Sequence, residues 1–232
     1  MKRLWKWIGI ILCILIGVSG LYISDYSQNT DESALQNTND VKVTKTDFGY
    51  FFDGPSEEEA MIFYPGGKVE DLAYSRLLKE IASNGIDCFL VHMPANLAVL
   101  SPNKAQDVLN EYSYDSWYIG GHSLGGSMAA SFASKHANTF SGLILLAAYS
   151  TKDLSDTNLK VLTIYGSNDK VLNKDRLKQY EEYLPKDNEV YVIQGGNHSG
   201  FGTYGKQDGD GKRSISHWKQ IEVTASKIQE IK

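Results

Sequence analysis

Apolar residues along this chain fall in short unbroken runs, separated by longer stretches in which they recur every three or four positions. A run such as Leu143-Ile144-Leu145-Leu146 shows no polar alternation, as expected of a strand covered on both faces. The pattern predicts eight strands, at 41–46, 49–53, 60–64, 86–92, 117–120, 142–148, 160–165 and 189–194. It predicts helices over 69–84, 103–112, 124–136 and 174–184, and a last one from 214 to the C-terminus. The first two strands are joined by a short turn and should pair antiparallel. From there strands and helices alternate, which predicts an α/β fold: a mostly parallel sheet with helices on both faces. No internal repeat or low-complexity tract breaks the order, so 41–232 reads as a single domain.

The N-terminus follows a different pattern. Lys2, Arg3 and Lys6 precede a run from Trp7 to Ile23 that carries no charge, and Asp25 follows it. Residues 1–23 therefore read as a membrane-targeting segment, and the basic flank keeps its start on the cytoplasmic side. The run is about 17 residues, or about 25 Å of helix, short for a membrane span. A retained single-pass anchor is the preferred reading. Cleavage after Val18-Ser19-Gly20, giving a secreted protein, is the alternative. Leu12 before Cys13 is too large for a lipidation site. Residues 24–40 are rich in Asn, Asp, Ser and Thr and read as a polar tether. The expected location is the cell membrane, with the domain outside the cytoplasm.

Composition narrows the class further. In 232 residues, 42% are hydrophobic and 11% aromatic, enough for one sizeable core. A net charge of -5 with no basic cluster argues against nucleic acid as a partner. Cys13 and Cys88 are the two cysteines, one in the N-terminal segment and one in a predicted strand, so no disulfide is expected.

In open parallel sheets ligands bind beyond the carboxyl ends of the strands. Four such ends carry chemistry: Pro65-Gly66-Gly67-Lys68, Gly121-His122-Ser123-Leu124-Gly125, Gly166-Ser167-Asn168-Asp169 and Gly195-Gly196-Asn197-His198. The second places a serine between glycines, after a predicted strand and before a predicted helix. That is the context of a nucleophile elbow, in which a strained turn exposes the serine hydroxyl and only glycines let strand and helix approach.

A serine hydroxyl needs a base within hydrogen-bond reach, and the base needs an orienting carboxylate. His198, in a glycine-rich loop after the last strand, is the candidate base; His217 is a weaker one. His122 adjoins the serine and so points elsewhere, while His92 and His136 sit at a strand end and a helix end. Asp169, after the seventh strand, is the candidate acid, and Asp153 after the sixth is the alternative. The oxyanion of an acyl-transfer transition state needs two donors. The backbone amides of Leu124 and Gly67 are the candidates. Loss of one such donor costs about 3 kcal/mol of barrier.

Other features carry less. Asp208-Gly209-Asp210-Gly211 lacks the remaining ligands of a calcium loop and reads as a solvated turn. Glu181 and Glu182 read as a solvated helix face. No His-Glu-x-x-His, phosphate-binding glycine loop or cysteine cluster is present, and no metal site is expected.

Taken together, the elbow, Asp169 and His198 resemble the α/β-hydrolase superfamily over residues 41–232. More narrowly, Phe52-Asp53-Gly54-Pro55, Phe63-Tyr64-Pro65-Gly66, Gly120 to Gly126 and Gly195 to Gly202 look like a group of membrane-anchored bacterial α/β hydrolases, mostly Gram-positive. The resemblance implies an eight-stranded sheet, a Ser-Asp-His triad, hydrolysis through an acyl-enzyme, and no metal or organic cofactor. It does not carry a substrate class. Where superfamily members often insert a cap domain, this chain has only 149–159, so no cap domain is expected and the site should be open. Asn96 to Leu100, Phe201 and Tyr204 are expected to line an acyl or leaving-group pocket. The expected function is hydrolysis of a small-molecule or lipid-like carboxylic ester outside the cytoplasm. An envelope-directed peptidase or acyltransferase on the same triad is the alternative, and a non-catalytic binding module a third reading.

Overall fold

The computed structural model describes residues 32–38, 40–55 and 57–231. The anchor assigned to 1–23 and the first part of the tether lie outside them. Among the described residues no helix is long and apolar enough to cross a membrane.

Eight strands form one sheet: β1 (Lys42–Thr46), β2 (Gly49–Asp53), β3 (Glu59–Tyr64), β4 (Asp87–Val91), β5 (Ser116–His122), β6 (Gly142–Leu146), β7 (Lys160–Gly166) and β8 (Asn188–Ile193). Their order is β1-β2-β4-β3-β5-β6-β7-β8. β1 and β2 pair antiparallel, as do β2 and β4, and every later pairing is parallel. The apolar runs become the interior strands because helices cover both faces. Met61 and Phe63 of β3 enter one core with Leu77, Leu78 and Ile81; Ala60, Ile62 and Tyr64, alternating with them, enter the other with Ala129 and Phe132. The edge strands β1 and β8 are the exposed ones and carry Lys42, Lys45 and Glu189, which discourages pairing with another chain.

The helices are α1 (Ser75–Ser83), α2 (Ala105–Glu111), α3 (Leu124–Ala133), α4 (Lys174–Gln179) and α5 (His217–Gln229). α1 and α5 lie against each other on one face, and α2 and α3 cover the other. Most are shorter than periodicity predicts, each for a local reason. The start of the 69–84 stretch is a 3-10 turn, Asp71–Tyr74, held by the Asp71 carboxylate, which accepts the Leu72 amide and meets His92 Nδ1 at 2.9 Å. The 174–184 stretch breaks into α4 and the 3-10 turn Glu181–Tyr183, which leaves Glu181 and Glu182 exposed. The last helix begins at His217 because Ser216 caps it, its Oγ accepting the Lys219 amide at 3.1 Å. β6 stops at Leu146 because Ala147 turns to φ 47°, sending its amide to the Ile164 carbonyl.

The connection from β6 to β7 contains neither helix nor strand, so no cap domain stands over the carboxyl ends. The described part of the polar segment lies on the domain. Glu32–Leu35 forms a 3-10 turn with Ala34 buried, and Lys79 of α1 donates to the Gln36 carbonyl.

Candidate active site

Ser123 stands between the end of β5 and the start of α3 with φ 53° and ψ −122°, a conformation that L-residues rarely adopt. Its amide still extends the sheet by donating to the Leu146 carbonyl at 2.9 Å. Glycines make the turn possible. A Cβ on Gly125 would lie 2.2 Å from the Pro65 carbonyl oxygen, and one on Gly121 would lie 2.6 Å from that of Tyr64. Helix, strand and the β3 loop therefore meet backbone to backbone, and the strained turn leaves the Ser123 side chain only partly buried.

Asp169 follows β7 and is buried. Its Oδ1 accepts the amides of Val171 and Leu172, both at 2.8 Å, which fixes the carboxylate and leaves Oδ2 for His198 Nδ1 at 2.9 Å. Burial alone would raise this carboxyl. The hydrogen bond and charge of His198, with the two amides, outweigh burial and hold it below the usual carboxylate range. With Nδ1–H donated to Asp169, His198 Nε2 carries the lone pair that a base needs. That nitrogen is buried and has no hydrogen-bond partner among the described residues. Ser123 Oγ has none either, so neither group is committed elsewhere. The His198 ring lies 4.6 Å from that of His122, the residue next to Ser123.

The structure thus brings together Asp169 and His198 and pairs neither of the alternatives in this way. Asp153 is exposed and bonded to Ser155, with no histidine beside it. His217 opens α5, and burial, with Arg213 and Arg76 nearby, pushes it down to about 4 without a carboxylate partner.

Of the three loop amides after β3, two are taken. Gly66 donates to Tyr74 Oη at 3.1 Å and Lys68 to the Asn96 carbonyl at 2.7 Å. The Gly67 amide has no partner among the described residues, and neither does that of Leu124, the first residue of α3. The two residues touch, since a Cβ on Gly67 would meet Leu124 Cδ2 at 2.8 Å. An oxyanion needs unpaired donors of this kind.

Three residues here are not evident as site residues from sequence. His122 is buried; its Nε2 meets the His198 carbonyl at 3.2 Å and its Nδ1 meets Tyr74 Oη at 2.8 Å. Nε2 must donate to that carbonyl, so Nδ1 accepts from the Tyr74 hydroxyl, which in turn accepts from Gly66. Burial, then the neighbouring His198, hold His122 well below its ordinary value and keep it neutral. Asp210 corrects the reading of 208–211 as merely a solvated turn. Its carboxylate accepts the amides of His198 at 3.2 Å and Ser199 at 2.9 Å, clamping the turn that carries the base. Asp210 was legible only as a turn former because the amides it binds lie on another loop.

The expected pocket also changes. Phe201 and Tyr204 are buried behind the site, Phe201 with its ring 5.5 Å from His122 and Tyr204 against Tyr74, so they pack the core and do not line a pocket. Their glycine-rich surroundings suggest exposure, but the loop folds inward at that point. Val99 and Leu100 are exposed, on the 3-10 turn Ala98–Leu100 that contacts α3.

A doubly covered parallel sheet with a serine elbow after β5, an acid after β7 and a histidine after β8 defines the α/β-hydrolase class. The chain belongs to the alpha/beta hydrolase family, whose model matches residues 60–222, and it is a hydrolase of that family. No curated protein sequence matches the chain significantly. Among solved structures it is similar to dienelactone hydrolase from Anabaena variabilis, with 11% identity, a TM-score of 0.62, and 83% of this chain and 97% of that one covered. It is also similar to a protein described as a predicted CIB-like hydrolase from Thermoplasma acidophilum, with 14% identity, a TM-score of 0.60, and 82% and 99% covered. A third is Est1E from Butyrivibrio proteoclasticus, with 12% identity, a TM-score of 0.59, and 83% and 99% covered. At these identities the likeness is one of fold.

Proposed function

We propose that this hydrolase cleaves carboxylic esters through an acyl-enzyme, with Ser123 as nucleophile, His198 as acid-base, Asp169 as its orienting acid, and the Gly67 and Leu124 amides as oxyanion donors. The observation that carries the reading is His198: Nδ1 is fixed on Asp169 while Nε2 is left unpaired in a buried site.

In the first half-reaction His198 Nε2 takes the Ser123 proton as Oγ attacks the ester carbonyl. The carbonyl oxygen becomes an oxyanion between the two amides, and Asp169 stabilises the imidazolium. His198 then gives the proton to the leaving alcohol. In the second half-reaction water attacks the acyl-serine, with His198 again the base, and the acid and free serine are released. Without a cap domain an ester can approach Ser123 from outside, and the exposed Val99 and Leu100 offer an apolar surface for its acyl part. The substrate is accordingly a small-molecule or lipid-like ester.

The N-terminal sequence supports a single-pass anchor with the hydrolase domain outside the cytoplasm, as in the membrane-anchored Gram-positive hydrolases that the motifs resemble. Proteolysis of intact cells and the N-terminus of the mature protein test this. A mature protein starting at Leu21 would mean secretion, and protection from external protease would rule out the outside location. For activity, nitrophenyl esters of graded chain length should be turned over by the wild type and not by Ser123→Ala. Equal rates for the two proteins would contradict the assignment.

A further inference from the structure

The segment from Gly202 to His217 connects the turn that carries His198 to α5. Its residues line a cleft of about 680 Å³. None of Ser123, Asp169, His198 and Gly67 lines it, so it is separate from the proposed ester site.

Its charge is distinctive. Lys206, Lys212 and Arg213 line the cleft in a chain whose net charge is -5. No ion pair among the described residues involves any of the three. Asp210, the one acid on the wall, makes no ion pair with them, its oxygens facing the amides of His198, Ser199 and Gly211, although its charge reaches Arg213. Arg213 donates a hydrogen bond to a neutral acceptor, Asn197 Oδ1, at 3.3 Å. Ser216 and His217, the N-cap and first residue of α5, form another part of the lining, which brings the positive end of a 13-residue helix to the same space. Three cations without an ion-pair partner among the described residues, together with a helix N-terminus, favour an anion in this space.

We propose that this cleft is a second binding site, for a ligand carrying a phosphate group, held among Lys206, Lys212 and Arg213 at the start of α5. A phosphate fits better than a lone carboxylate because it offers more charge and more acceptor oxygens to donors that converge from several directions. The volume exceeds that of a phosphate, leaving room for the rest of the ligand. The same chemistry could be presented by a soluble phosphate ester or by the headgroup of a phospholipid.

The test is calorimetric titration of the full-length protein with inorganic phosphate and with glycerol phosphate, beside co-sedimentation with vesicles of phosphatidylglycerol in phosphatidylcholine. Wild type and Ser123→Ala should bind alike. Lys206→Glu with Lys212→Glu should weaken binding at least about tenfold, because two attractions become repulsions. The milder pair Lys206→Ala with Lys212→Ala should weaken it several-fold, and the exposed control Lys186→Glu should not change it. Binding in the soluble arms identifies a free phosphate compound, and a variant-sensitive difference confined to vesicles identifies a lipid headgroup; either supports the site. No saturable binding in any arm up to about 10 mM, roughly the weakest affinity worth assigning to a site, would overturn it. So would binding that both double variants retain in full.

Discussion

His122 Nε2 lies 3.2 Å from the carbonyl oxygen of His198, so the residue before the candidate nucleophile holds the backbone of the candidate base. Through Nδ1 and Tyr74 Oη the same ring reaches the Gly66 amide, beside the proposed oxyanion donor. One neutral imidazole thus ties three strand-end loops together. His122→Phe keeps a ring but breaks both hydrogen bonds, leaving buried groups unsatisfied, and should cost about 2 to 3 kcal/mol of stability. Because His122 positions groups without touching substrate, kcat should fall about tenfold or more while KM stays within about twofold.

Its titration gives a pH signature with a definite sign. Folding depresses the His122 value, so the unfolded chain binds the extra proton below about pH 6.5. This contribution to stability is therefore present above about pH 6.5 and lost as pH falls below it. In urea unfolding, the gap between wild type and His122→Phe should narrow from about pH 8 to about pH 5. A gap that widens on acidification would show that the buried imidazole is charged.

Asp169→Asn should keep the fold but lose the carboxylate that selects the Nδ1–H tautomer, lowering kcat by about 10³ to 10⁴. Asp153→Asn, at an exposed position bonded only to its own turn, should leave kcat within about twofold. Steady-state kinetics on one nitrophenyl ester compares the two, and a reversed pattern would move the acid to the loop after β6.

Close backbone contact at the elbow can be tested apart from chemistry. Gly125→Ala would put a methyl group 2.2 Å from one carbonyl oxygen and 2.3 Å from another, neither of which can move alone. It should cost more than about 3 kcal/mol and abolish soluble expression or activity. Gly209→Ala has no atom within 4 Å but sits at φ +79°, so it should cost only about 1 kcal/mol. Thermal melts of the two variants separate steric collision from backbone strain.

Much of this architecture is legible in the residues alone. Strands such as β6 stand out because a strand buried on both faces must be apolar throughout, and the elbow because few turns need a serine between glycines. Asp169 and His198 stand out because each lies in the loop just past the carboxyl end of a strand, where a parallel sheet gathers its chemistry. Other features are hidden because they depend on which loops meet. Tyr74 ends a 3-10 turn and reads as ordinary core, His122 reads merely as pointing away, and Asp210 binds amides on a neighbouring loop. Phe201 and Tyr204 mislead for the same reason, since an aromatic in a glycine-rich loop packs inward or outward with the same local sequence. The free amides of Gly67 and Leu124 emerge only once the partners of Gly66 and Lys68 are known.

The central claim is that Ser123 is an activated nucleophile, and covalent labelling reads it most directly. The full-length protein, treated with a fluorophosphonate probe and digested for mass spectrometry, should carry one adduct, on Ser123, and Ser123→Ala should carry none. His198→Ala should label far more slowly at the same serine. An unlabelled wild type, or an adduct that persists in Ser123→Ala, would contradict the account.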